Sequence, residues 1–123
     1  MAKYRVIPAW THWHRAFVWW GWGPEPVIYV PAKRLPYPDW IRLTLAHERV
    51  HVAQWKKHGR IGFLRRYLCR DQRLELEAEA FAASVKAGGG TAEHYATVLA
   101  KSYGLHAPVD VCFVAINSYL EDT

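Results

Sequence analysis

The 123 residues, 51% hydrophobic and 22% charged, have the composition of one folded domain spanning 1–123, which excludes a disordered chain. A net charge of +5 favours anionic surroundings such as nucleic acid, cell-wall polymer or an acidic membrane surface. No apolar run reaches the roughly 18 residues needed to cross a bilayer, and Pro8, His12, His14 and Arg15 interrupt any export signal. A cytoplasmic protein is expected, with Cys69 and Cys112 as reduced, buried thiols.

The first third is rich in aromatic and β-branched residues broken by proline. "KYRVIPA", "AFVWWGW" and "PVIYVPA" read as three short strands of a small sheet. Five of the seven tryptophans fall between Trp10 and Trp22 and are expected to form sheet core, with a stacking platform for sugars or bases as the alternative. The His12/His14 pair is expected at surface or sheet positions.

Beyond "PYPDW" the pattern turns helical. Asp39 is expected to cap a helix starting near Trp40 and Gly59 to end it, with Lys56, Lys57 and His58 at the negative end of its dipole. Apolar residues surround most of this segment, which implies a buried, central helix. "GRIGFLRRYLCR" reads as a short helix. Asp71 is then expected to cap "QRLELEAEAFAASVKA", which Gly88, Gly89 and Gly90 stop. "TAEHYATVLAKSY", capped by Thr91, and "PVDVCFVAINSYLED", with Pro108 in its first turn, follow as helices. "VDVCFVAI" also fits a strand. The fold class expected is α+β: a small N-terminal β-sheet followed by four to five helices.

The central helix carries His47, Glu48 and His51 in an H-E-x-x-H arrangement. Residues four apart on a helix stand on one face, so the two imidazoles can share one ion, and neutral imidazole is a common zinc ligand. Glu48 lies beside that pair, where it can act as general base toward water. With seven His and seven Glu in the chain, the motif is expected by chance only on the order of 0.02 times. The competing reading is a pair of hydrogen-bonded core histidines. A third ligand has to come from "LELEAEAFAA", which offers Glu75, Glu77 and Glu79. Glu75 and Glu77 flank the apolar stripe of Leu74, Ala78, Phe81 and Val85 on opposite sides, and periodicity does not choose between them.

From Leu45 to Ala83 the chain resembles the gluzincin class of zincin metallopeptidases. It is similar in particular to the CAAX-processing and heat-shock membrane peptidases and to small intracellular peptidases that cleave repressors. That resemblance implies a minimal zincin-like domain holding Zn²⁺, with Glu48 catalytic and His47, His51 and Glu75 as the metal ligands. It places Glu79 in a supporting role. Glu79 stands where those families have Asp or Asn, and its extra methylene leaves Glu77 or Glu79 open as the alternative ligand. Zincins also carry an edge strand ahead of the motif helix, and "PVIYVP" lies where that strand belongs.

The function expected is zinc-dependent hydrolysis of a peptide bond in a peptide or protein substrate, with Glu48 moving the proton from water to the leaving amine. His94, Tyr95, Tyr103 and His106 are available to stabilise the oxyanion. Basic residues from Lys56 to Arg73 could draw in an anionic partner or pair with neighbouring glutamates, or form a solvated face. The alternatives are a metal-stabilised domain without turnover, and a basic, aromatic module binding nucleic acid or glycan.

Overall fold

A computed structural model of the protein describes residues 4–13 and 15–121. Three strands, β1 (Tyr4–Ile7), β2 (Phe17–Trp19) and β3 (Val27–Pro31), form one sheet in the order β1-β3-β2. β3 runs parallel to β1 and antiparallel to β2, with Val18 opposite Ile28 and Phe17 opposite Tyr29. β3 is therefore central, not the edge strand expected of "PVIYVP"; the outer strand on that side is β2. Val18, Ile28 and Val30 face inward on alternate positions and pack with Trp55, Phe63 and Leu76.

Four helices follow: α1 (Pro38–Leu68), α2 (Arg70–Lys86), α3 (Ala92–Ser102) and α4 (Val109–Glu121). The segment "VDVCFVAI" is thus helical. Both aspartates expected as caps lie two positions past the cap. Tyr37 and Cys69 hold the cap positions without side-chain bonds, and Asp39 and Asp71 sit in the first turns, where a negative charge still suits the helix dipole. Thr91 does cap α3, accepting from the His94 amide at 3.1 Å.

Gly59 breaks α1. Its φ of 77° and ψ of 169° are open to glycine and strained for other residues, so the helix expected to stop there instead bends and resumes. α1 packs on the sheet and on α2, and α2 packs on α4 and α3. As a result α2 is covered on two sides. Leu76 joins the core beneath the sheet, while Ala78, Phe81 and Ala82 join a second core with Leu99, Leu105, Cys112 and Ile116.

The tryptophan cluster does not build the sheet core. Trp10, Trp13, Trp19 and Trp22 are all substantially exposed, and Trp22 fully so; Trp20 packs against the core from the side, and Trp19 meets the core ring of Trp55 edge-on at 5.8 Å. Strands of three to five residues cannot cover so many indoles. His12 is exposed in a left-handed turn, and His14, like Lys3, lies outside the described residues. Of the two thiols Cys112 is buried, but Cys69, at the junction of α1 and α2, is exposed. No helix among the described residues is long and apolar enough to cross a membrane.

Candidate metal centre

The face of α1 that is most deeply buried is its polar one. His47, Glu48, His51 and Gln54 all lie inside, along with Trp55, at the i, i+1, i+4, i+7 and i+8 spacing of one helical stripe. Burying four polar side chains is costly unless each finds a partner, and α2 supplies partners for His47, His51 and Gln54.

Glu77 projects from α2 into this stripe and is 2% exposed. Its Oε1 lies 3.2 Å from His47 Nε2 and 3.1 Å from His51 Nε2, and the two nitrogens are themselves 3.2 Å apart. Three ligand atoms thus form a nearly equilateral triangle, and all three residues are buried. Ligands about 2.1 Å from a tetrahedral zinc ion stand about 3.4 Å from one another, so the triangle is close to the dimensions of one face of such a site.

Each member is held from behind. Gln54 donates from Nε2 to the Leu76 carbonyl at 3.0 Å and to Glu79 Oε1 at 2.8 Å, which turns its own oxygen toward His51. An amide oxygen only accepts, so the 2.8 Å contact to His51 Nδ1 assigns that nitrogen the proton and leaves Nε2 directed at the triangle. Tyr67 donates its phenol hydrogen to Glu77 Oε2 at 2.6 Å. Phe81 packs edge-on to His47, with ring centroids 4.5 Å apart.

The electrostatics fit a cation. Burial alone pushes the Glu77 carboxyl up, but the charge of His51 and the hydrogen bonds from both imidazoles hold it well below the usual carboxylate range. Burial lowers His51, yet Glu77, Glu48 and Gln54 together raise it to about 9. Without a metal, a proton on His51 supplies the positive charge that the triangle requires. Burial likewise raises the phenol of Tyr67, with Glu77 adding to the effect, so it remains a donor.

Glu48 stands beside the triangle, its Oε1 4.0 Å from His47 Nε2. Its Oε2 is buried with no hydrogen-bond partner, and burial, the largest influence on it, raises its pKa. A buried carboxylate oxygen left without a donor is unusual and marks the position where a water or a substrate proton would fit.

The carboxylates sort differently from the expectation. Glu75, expected as the third ligand, is exposed and accepts a hydrogen bond from Tyr119 at 2.8 Å, so it does not reach the histidines. Glu77 takes that place, and Glu79 holds Gln54 in position. The two residues that composition and spacing did not single out are Gln54 and Tyr67. Gln54 lies on the same helical stripe as the histidines and could have been found from it; Tyr67 lies beyond the bend at Gly59, where no periodicity carries over.

The triangle lines a cavity of about 930 Å³, whose walls include Trp19, Trp40, Phe63, Tyr95 and Tyr103. β2 forms part of that wall. Of the four residues expected to serve an oxyanion, His94, Tyr95 and Tyr103 line the cavity; His106 is exposed and does not. Of the arginines expected to pair with nearby glutamates, Arg60 binds the Gly21 and Gly23 carbonyls and Arg73 that of Tyr67, while Arg66 donates to His58 and Gln72 and Arg70 lies 3.9 Å from Asp71. No protein-family model matches the chain, and neither a curated protein nor a solved structure matches it.

Proposed function

We propose that the protein is a small zinc-dependent metallopeptidase of the zincin type, with His47, His51 and Glu77 as its metal ligands and Glu48 as its general base. The single observation that carries this reading is the unpartnered, buried Oε2 of Glu48 beside a triangle of two imidazoles and a carboxylate. A structural site needs the triangle but has no use for an idle carboxylate at its side. Zinc, when bound, supplies Lewis-acid polarisation of the scissile carbonyl and acidification of a water.

The chain's own residues would do the rest. Glu48 accepts the proton of the attacking water and returns it to the leaving amine. Tyr103, whose phenol is pushed up by burial and then by the charges of Glu77 and Glu48, retains its proton and serves as hydrogen-bond donor to the carbonyl oxygen. Gln54 and Tyr67 hold ligands in place.

The aromatic wall excludes water and accommodates large apolar side chains of an extended peptide. β2 pairs with β3 alone, so its outer edge is available to hydrogen-bond that peptide. Two unpaired thiols fit the reducing cytoplasm as the compartment.

The test is metal content by mass spectrometry on purified protein, with cleavage of a denatured protein substrate followed in parallel. About one zinc per chain is expected in wild type, retained in Glu75→Ala and in Glu48→Gln, and lost in Glu77→Ala. Glu48→Gln should abolish cleavage. Wild-type protein that stays metal-free after zinc is supplied would overturn the reading, and a zinc-loaded protein indifferent to Glu48→Gln would make the site structural.

A further inference from the structure

The part of α1 beyond the bend carries a surface that the metal site does not use. Ile61, Leu64 and Leu68 fall on one side of the helix at i, i+3 and i+7, and they are 74%, 37% and 80% exposed. Leu64 also forms the cavity rim together with Trp13 and Trp19, both half exposed. Arg60 ties the neighbouring loop to this stripe. It donates to the carbonyls of Gly21 and Gly23 at 2.8 and 2.6 Å, and its guanidinium lies 4.2 Å from the centre of the Trp20 ring. Trp22, between the two anchored carbonyls, is held fully in solvent. Large aliphatic and indole side chains are thus exposed on this surface, at the cavity rim and in the loop tied to it.

Its charge is one-sided. From Arg49 to Arg70 the chain has seven Lys or Arg and no Asp or Glu. Lys56 meets Glu25 across the surface at 3.4 Å. Among the described residues Lys57 and Arg65 form no ion pair with a carboxylate. α4 provides the contrast. Val111 and Val114 are exposed there too, but that helix carries Asp110 and Glu121 and no Lys or Arg.

We propose that the face formed by Ile61, Leu64, Leu68, Trp19 and Trp22 docks on an anionic lipid bilayer, bringing the mouth of the cavity to the membrane surface. The aliphatic side chains enter the boundary between headgroups and acyl chains, the indoles sit at headgroup level, and the flanking basic residues meet lipid phosphates. Attachment is from one side, since no described helix is long and apolar enough to span the bilayer.

Charge complementarity selects this occupant. A nucleic acid would satisfy the arginines but leave Ile61 and Leu68 in water. A second copy of the chain, joined about a two-fold axis, would set Arg65 and its neighbours against themselves. The inference does not rest on the metal reading: Leu64 and Trp19 share the cavity rim, but Ile61, Leu68 and Trp22 lie outside its lining.

Flotation with lipid vesicles tests it. Wild-type protein should float with phosphatidylcholine vesicles containing about 30% phosphatidylglycerol and not with phosphatidylcholine alone. Flotation should persist after chelation of metal, which separates this result from any failure of the peptidase reading. The exposed double variant Ile61→Ser/Leu68→Ser should lower partitioning at least about tenfold, and Arg65→Glu should weaken it at low salt, with the difference from wild type shrinking as salt rises. Val114→Ser, with its apolar side chain on the acidic helix, should float like wild type. Circular dichroism confirms that each variant is folded.

Three results would overturn the proposal: wild type that ignores anionic vesicles, an Ile61→Ser/Leu68→Ser protein that floats as well as wild type, or a soluble dimer that this variant alone disrupts.

Discussion

Tyr67→Phe isolates a single hydrogen bond behind the metal triangle. The substitution keeps the ring, which stacks on Phe63 with centroids 5.7 Å apart, and removes only the hydroxyl that donates to Glu77 Oε2 at 2.6 Å. The Glu77 side chain is 3% exposed, so water does not readily replace the lost donor. A hydrogen bond to a charged group contributes about 1.5–3 kcal/mol. At about 1.4 kcal/mol per factor of ten, that corresponds to roughly a 10–100-fold loss of zinc affinity, the range expected when a partner behind a metal ligand is removed. Zinc affinity reports only the excess of that loss over the loss in the metal-free protein, which is read separately as a fall in melting midpoint of roughly 3–6 °C per kcal/mol for a domain of this size. The assays are competition with a chromophoric chelator and calorimetry of the chelated protein. Tyr119→Phe is the matched control, since it removes the hydroxyl that bonds the exposed Glu75; its effect should stay within about 0.5 kcal/mol. Equal effects from the two variants, or unchanged zinc affinity in Tyr67→Phe, would refute the assignment of Glu77.

Other perturbations separate the remaining parts. Gln54→Leu should lower zinc affinity about 10–100-fold by releasing the His51 Nδ1 hydrogen, measured by the same chelator competition. Because His51 in the metal-free protein holds its proton up to about pH 9, that proton must leave before Nε2 can bind a metal. Apparent zinc affinity should therefore rise between about pH 6 and 9, with proton release visible by calorimetry in buffers of different ionisation enthalpy. Glu48→Gln should retain zinc and reduce cleavage by about 10²–10⁴-fold in a continuous peptidase assay. At Gly89 an added Cβ would lie 2.6 Å from the Tyr95 hydroxyl, 2.8 Å from Leu43 Cδ2 and 3.1 Å from the Ser84 carbonyl. Gly89→Ala should accordingly cost about 1–3 kcal/mol in a denaturant titration.

The H-E-x-x-H spacing places both imidazoles and Glu48 on one helical face, and the structure has them there. The three strands, the cap at Thr91 and the interruption at Gly59 were also legible, since each depends on residues close in sequence. The third carboxylate was not. Assigning it from periodicity assumes that α2 buries one stripe, whereas α2 lies between α1 and α4 and buries Leu76, Glu77, Ala78, Ala80, Phe81, Ala82 and Ser84. How such a helix is rotated about its axis is decided by packing on both sides, which no local pattern encodes. The tryptophans misled for a related reason. Apolar character alone does not say whether a side chain is covered by its own fold.

The break at Gly59 has a mechanical side. Two corners of the triangle, His47 and His51, lie before the break, and Tyr67, the brace of the third corner, lies after it. The hydroxyl of Tyr67 thus acts as a strut that fixes the angle between the two halves of α1. An ion held by the triangle would stiffen Glu77 and, through that strut, the arm formed by residues 60–68. The one residue type that makes the break tolerable therefore turns a straight rod into a bracket, with His47 and His51 on one arm and Ile61, Leu64 and Leu68 on the other.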